Sequence, residues 1–277
     1  MVSTTVFWQF DNGNYFDDSL PLKRITLTTM PNIQQILGLH EKYKIESNRH
    51  LNEDILKIPY YSKKAINEAI TLDNPEYAKY FHNGSPADIA LLFIDICNFS
   101  TRFENLSGKQ IEEFFDEYYD IVIPKIYEYN GEIDKVIGDG IICIFGPPFY
   151  NKGIAHCVYQ AIQCAKSIIK QTYKTKFKSK IALHAGEVNY FANKTDYYNE
   201  YTIIGKPLTE LFRLESISEN ECINYFDQTI VRQVLKRIPS KFIHFENGKL
   251  QWPHYGKEIN PPKGTNYAQM FRIKYNG

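Results

Sequence analysis

Absences narrow this sequence before any motif is read. Its 277 residues carry 32 basic and 32 acidic side chains, so neither sign of charge is in excess. A balanced chain has no electrostatic footprint for duplex nucleic acid or an anionic membrane surface, and neither partner is expected. Long hydrophobic runs are missing: the most apolar stretches, such as IALLFIDI, are far too short to cross a bilayer. The first residues, MVSTTVFWQFDNGN, have no basic region followed by an apolar stretch and do not read as a secretory signal. Cysteine is scarce. Cys97, Cys143, Cys157, Cys164 and Cys222 form no CxxC pair and sit mostly in apolar surroundings, which reads as reduced core thiols and not as a disulfide or zinc framework. There is no internal repeat and no low-complexity tract. The expectation is a soluble, cytoplasmic protein whose 43% hydrophobic content suffices for a packed core.

What is present falls into two parts. Residues 1–84 are mixed in pattern and rich in Asn, Lys and Tyr, with candidate helices at NIQQILGLHEKYK and SKKAINEAI separated by the breaker Ile58-Pro59. HNGSPADI is a turn cluster, and the expected boundary there leaves an N-terminal extension at 1–84 and one folded domain at 85–277. From that point the order is regular. IALLFIDI reads as a strand buried on both faces. SGKQIEEFFDEYYDIVIPKIYEYN follows, with Ser107 and Gln110 at capping-box spacing. Its Ile111, Phe114, Phe115, Tyr118, Ile121 and Val122 recur at helical spacing, and Pro124 predicts a kink in the last turns. Two short strands then meet at Gly138-Asp139-Gly140. IAHCVYQAIQCAKSIIKQ is a second amphipathic helix, KIALHAGEV and YTIIG are strands, and Pro207 opens the helix PLTELFRLES. CINYF, DQTIVRQVLKRI, KFIHFE and AQMFRIKY read as strand, helix, strand, strand. The order βαββαβ predicts a ferredoxin-like α/β (α+β) sandwich with its helices on one sheet face.

Asp95 ends the first strand of this domain and Asp139 tips the hairpin. In a ferredoxin-like fold those elements lie side by side, so both carboxylates emerge at one sheet edge. An ionised aspartate beside a buried strand is costly unless it is paired or binds a metal. Alone, Asp139 in a GDG turn reads as a turn former. Two strand-end aspartates together point to a shared ion. A few hard oxygen ligands suit Mg²⁺ or Mn²⁺, with water and substrate phosphates completing the shell. The residues thus predict a two-metal phosphoryl-transfer site.

FIDICNFSTRFE followed by KVIGDGIICIFG resembles the catalytic domain of the class III nucleotidyl cyclases. The resemblance runs from Ala87 to Arg272 and includes HAGEV and YTIIGKPLTELFRLES. It implies two divalent ions held by Asp95, Asp139 and the backbone carbonyl of Ile96. The ribose 3′-hydroxyl would attack the α-phosphorus in line, forming a 3′,5′-cyclic nucleotide and releasing pyrophosphate. Arg213 would stabilise charge on the α-phosphate. Thr209 stands where the family usually has an asparagine that orients the ribose, and it reaches less far than an amide. The triphosphate would be held by Phe99 and Ser100, in a loop where Asn98 replaces a common glycine, and by Lys263 in PPKGTNYAQMF, with Lys257 as the alternative. Lys135, paired with Thr202, would read the base. A lysine only donates hydrogen bonds, so it suits N1 of adenine, N3 of cytosine or O4 of uracil and opposes the N1–H of guanine. The resemblance also implies a head-to-tail homodimer in which each site takes residues from both subunits.

The family usually carries glycines after its HAGEV-like strand, where this chain has NYFANKTDYYNEY. Tyr190, Tyr197, Tyr198 and Tyr201 would crowd the base-reading strand, and a smaller pocket favours a pyrimidine. With no recognisable sensor, membrane or receiver module, the chain looks like the pyrimidine cyclases of bacterial Pycsar antiphage systems. Those make cyclic CMP or cyclic UMP and signal to a separate effector. The expected substrate is therefore UTP or CTP. ATP is the alternative, supported by the Lys135/Thr202 pair. An inactive cyclase-like regulator is a second alternative, against which both aspartates and Arg213 argue. A diguanylate cyclase or polymerase palm would need a GGDEF-like or DxD hairpin, and Gly138-Asp139-Gly140 is neither.

Overall fold

A computed structural model describes residues 84–194, 199–237, 245–246 and 249–277. The two helices expected before residue 84 lie outside that range, as do Tyr197 and Tyr198.

The first strand, β1 (Pro86–Ile96), is central to an eight-stranded sheet. A short helix α1 (Phe99–Arg102) leads to α2 (Gly108–Glu128), then β2 (Glu132–Ile137), β3 (Gly140–Phe145), α3 (Ile154–Thr172) and β4 (Ser179–Lys194). These strands lie in the order β2-β3-β1-β4, the ferredoxin-like arrangement that the sequence predicts. The sheet then widens. β4 pairs in parallel with β6 (Cys222–Phe226), which is followed by β10 (Gln269–Lys274) and β9 (His254–Glu258). β4 also outruns β1 and turns back as β5 (Asn199–Ile204). Helices α4 (Lys206–Glu215) and α5 (Ile230–Lys236) flank β6, and β7 (Phe245–Glu246) pairs with β8 (Lys249–Leu250). Of the strand expected across KFIHFE only Phe245 and Glu246 are among the described residues, as β7, and β9, rich in polar residues, was not foreseen.

Local chemistry sets the elements. The Ser107 hydroxyl accepts from the Gln110 amide while the Gln110 side chain accepts from Ser107 N–H at 2.9 Å, closing the capping box at the start of α2. Phe114, Tyr118, Val122 and Ile126 recur every four residues and are buried, and the helix continues through Pro124. Alternate residues of β1 feed two cores. Ala90, Leu92, Ile94 and Ile96 meet α2 and α3 on one face, and Ala87, Ile89, Leu91 and Phe93 meet Leu211 and Leu214 of α4 on the other. The expectation of helices on one face is therefore corrected: α4 covers the second. A strand apolar on both faces needs a cover on both. Truncating a residue such as Leu92, which has no exposed surface, would cost about 2–5 kcal/mol. All five cysteines are buried and free, in keeping with core thiols. Among the described residues, no helix is long and apolar enough to cross a membrane.

Candidate active site

Asp95 is the penultimate residue of β1 and shares the face of Phe93 and α4. The β1–β3 register, with Ile94 opposite Ile141, brings the hairpin tip beside it. That tip is tight because Ile137 pairs with Gly140, leaving only Gly138 and Asp139 in the loop, and Gly138 takes φ 60°. Gly140 has no room for a side chain, since a Cβ there would run into the Phe93 ring. Burial, and after it the negative charge of Asp139, push the Asp95 carboxyl up to about 6 against the pull of Lys180. Two strand-end carboxylates thus repel each other across one sheet edge.

Lys180 is the residue that the sequence reading missed. It faces Asp95 in the β1–β4 register, with its ammonium 3.2 Å from Asp95 Oδ2 and 2.7 Å from Glu215 Oε1 at the end of α4. Its position before IALHAGEV, opposite a strand-end aspartate in an antiparallel pair, was the signal available. Among the described residues, no three His, Cys, Asp or Glu side chains converge as a cage. Two like-charged, partly buried carboxylates nonetheless offer hard oxygen donors that fit a divalent cation whose remaining ligands come from phosphate and water. The donor set suits Mg²⁺ or Mn²⁺.

On the same face, Lys135 of β2 follows an irregularity in the β2–β3 pairing between Ile133 and Lys135. Its ammonium donates to Thr202 Oγ1 at 2.6 Å, across 67 residues, and lies 3.7 Å from Asp134 Oδ2. Thr202 sits on β5, opposite Phe191. The pair that the sequence suggested is a contact. Tyr190 is different: its ring has no exposed surface and its hydroxyl donates to the Pro147 carbonyl at 2.6 Å. It is consumed by the core and is not available to crowd a base, which corrects its expected role.

Thr209 and Arg213 are one turn apart on the exposed side of α4, while Glu210, Leu211 and Leu214 face inward. Phe212 packs edge-on to Phe93, 5.5 Å between centroids, and ties α4 to β1 two residues before Asp95. In the loop after β1, Asn98 takes φ 55°, a conformation asparagine tolerates better than most residues, so it replaces glycine at little strain. Ser100 is exposed. The Phe99 ring packs against Phe103, Phe114 and Phe115 at 5.1–5.7 Å, so it anchors the loop, and its backbone is what it can turn to a phosphate. Arg102 braces the same loop by donating to the Cys97 and Lys176 carbonyls, each at 3.0 Å.

The two candidate triphosphate lysines differ. Lys257 is engaged with Glu219 at 2.9 Å, and Arg272 pairs with the other oxygen of that carboxylate. Lys263 is exposed in a turn closed by Thr265 N–H donating to the Pro262 carbonyl at 2.9 Å, and pairs with no carboxylate among the described residues.

This arrangement has relatives. The family described as the adenylate and guanylate cyclase catalytic domain matches residues 82–257. The chain belongs to that family. An uncharacterised protein of Mycobacterium tuberculosis is 23% identical to this chain over 139 residues, half of this chain and a quarter of that protein. The terminal-differentiation-specific adenylate cyclase of Dictyostelium discoideum is 24% identical over 149 residues, 52% of this chain and 7% of that protein. The chain thus spans a quarter or less of these curated relatives. Among solved structures, the adenylyl cyclase CyaB of P. aeruginosa superposes with a TM-score of 0.57 at 20% identity, covering 70% of this chain and 96% of that one. The guanylate cyclase domain of RhGC from Catenaria anguillulae, in complex with GTP, gives 0.55 at 18%, covering 70% and 100%. At such identities the likeness to these structures is one of fold.

Proposed function

We propose that this cyclase domain, residues 85–277, converts a ribonucleoside triphosphate to a 3′,5′-cyclic nucleotide and pyrophosphate, with UTP or CTP as the favoured substrate. The observation that carries the proposal is the placing of Asp95 beside the Asp139 hairpin tip at one end of the sheet, with Lys135 of the neighbouring β2 held by Thr202. Bound divalent ions, Mg²⁺ or Mn²⁺, would supply positive charge to the 3′-oxygen and the triphosphate. Asp95, Asp139 and the Ile96 carbonyl would hold them, as in the family.

The chain's own residues do the rest. Arg213 offers a planar, always-charged fork to the α-phosphate as charge grows there. Thr209, one turn earlier, directs the ribose through a single hydroxyl. Ser100 and the backbone of Phe99 cradle phosphate oxygens, and Lys263 meets the far end of the triphosphate. Lys135 donates to a base acceptor while Thr202 fixes its ammonium, so guanine would leave two donors facing each other. The bulk of Phe191, opposite Thr202 on the β4–β5 arm, favours the smaller pyrimidine ring. ATP is the second reading, since adenine N1 is an equally good acceptor for Lys135.

Each site is assembled from two subunits. The exposed apolar residues Ile137, Phe191, Ile204 and Phe212 support this, because they lie on or beside the strands and helix that carry Lys135, Thr202 and Arg213. The product acts in the cytoplasm as an antiphage signal to a separate effector. Incubating the purified chain with Mn²⁺ and each of the four ribonucleoside triphosphates, then identifying the cyclic product by mass spectrometry, tests the reading. Cyclic UMP or cyclic CMP is expected, cyclic AMP would establish the second reading, and cyclic GMP as main product would refute the role given to Lys135.

A further inference from the structure

Glu210 plays no part in the chemistry above. It lies on α4 between Thr209 and Arg213, yet it turns inward and is only 4% exposed. A buried carboxylate destabilises a helix packing face unless its oxygens are met, and here three elements meet them. On β4, Ala185 N–H donates to His184 Nδ1 at 2.9 Å, so the ring proton resides on Nε2. That Nε2–H donates to Glu210 Oε2 at 2.8 Å, and the Tyr267 hydroxyl donates to the same oxygen at 3.0 Å. Lys206, on the helix itself, lies 3.5 Å from Oε1. Burial would raise the Glu210 carboxyl, but the His184 and Tyr267 hydrogen bonds and the Lys206 charge outweigh it and hold the group below its usual range.

The segment bearing Tyr267 matters most. Tyr267 follows Lys263 by four residues, in the segment that returns to the sheet as β10. Its ring stacks on Phe226 of β6 at 4.3 Å with an 11° tilt, and the His184 ring stands edge-on to both at 6.2 Å. Ile259 N–H donates to the Ala268 carbonyl at 3.0 Å and closes the loop between them. Apolar contacts such as those of Leu211 and Leu214 allow a helix to slide by fractions of an ångström. Two directional hydrogen bonds on one buried oxygen do not.

We propose that Glu210, with His184 and Tyr267, is a positioning device that fixes the helix bearing Thr209 and Arg213 relative to the loop bearing Lys263. This rests on the roles proposed for those residues in triphosphate cyclisation. Tyr267→Phe removes one hydroxyl and keeps the stacked ring. Glu210→Met removes the acceptor at similar volume, while Glu210→Gln keeps an oxygen able to accept both hydrogen bonds.

Hydrogen–deuterium exchange and steady-state kinetics on the full chain test the proposal. Exchange across residues 260–268 is expected to rise about fivefold or more in Tyr267→Phe and in Glu210→Met, and to return to within about twofold of the parent in Glu210→Gln. For the accepted triphosphate, Tyr267→Phe should raise KM about tenfold with kcat within about threefold, and adding it to Glu210→Met should raise KM no further, because both act through one oxygen. Unchanged exchange and KM in Tyr267→Phe, or a Glu210→Gln variant as impaired as Glu210→Met, would overturn the proposal. The exchange readout needs no turnover, so a loop loosened in a chain that cyclises no triphosphate would uphold the anchor and refute the activity.

Discussion

Lys180 bridges Asp95 and Glu215, with its ammonium 3.2 Å from the first carboxylate and 2.7 Å from the second. Burial works against the charged lysine, but the two carboxylates outweigh it and hold the Lys180 pKa above its usual value. A permanent cation therefore sits against one of the two carboxylates assigned to the metal. Lys180→Met removes it, and Mn²⁺ binding to the nucleotide-free protein is expected to tighten about three- to tenfold by titration calorimetry. Weaker or unchanged binding would argue against Asp95 as a ligand.

The raised Asp95 carboxyl makes metal-free stability depend on pH. Folded, the group titrates at about 6 in place of 3.8, so between those values the folded state keeps a proton that the unfolded chain has released. Its contribution to stability is full below the lower value and is lost as pH rises through the upper one. Asp95→Asn imitates the protonated form and escapes that loss. Above about pH 7 the variant is expected to exceed the parent by about 1 kcal/mol, allowing for solvent screening, and at about pH 4 the two should melt alike. Denaturant titrations without metal at the two pH values check this. A parent as stable as the variant above pH 7 would contradict it.

Base selection should respond to Lys135 separately from the metal site. Lys135→Ala is expected to lower kcat/KM for the accepted triphosphate by about 10–100-fold, and Thr202→Val by about tenfold, with Mn²⁺ binding unchanged. Lys135→Glu presents an acceptor and should shift preference toward GTP. Kinetics with all four triphosphates measure this, and an unaltered preference in Lys135→Glu would remove Lys135 from the pocket.

The ferredoxin-like strand order was legible because hydrophobic period, the capping box at Ser107 and Gln110, and the Gly138-Asp139 turn act locally. The second helical layer was misjudged for a physical reason: the two-sided apolarity of β1 was read correctly, but the cover it demands on the α4 side was not drawn from it. Lys135 and Thr202 were legible as a pair only through family resemblance, since 67 residues separate them and no local pattern links them. Lys180 and Glu210 escaped because a charged residue in a strand or amphipathic helix reads as solvated. Their partners come from antiparallel register and from a loop 57 residues away, which no sequence period encodes. Tyr190 shows the opposite error, a residue whose bulk was expected beside the base but is consumed by the core.

Composite sites predict complementation. Asp139→Ala and Arg213→Ala homodimers should each be inactive, but mixing them should restore about a quarter to a half of parental activity, because mixed dimers keep one intact site. Cyclic nucleotide formation after mixing checks this. No recovery, with dimers exchanging freely by native mass spectrometry, would place all the residues in one subunit.

The most direct measurement of the central claim is release of pyrophosphate and cyclic nucleotide by the parent and by Asp139→Ala at saturating Mn²⁺, with melting curves of both. The expected result is equimolar release by the parent and a fall of about a thousandfold or more in the variant at an unchanged melting temperature. Undiminished turnover in Asp139→Ala would contradict the account.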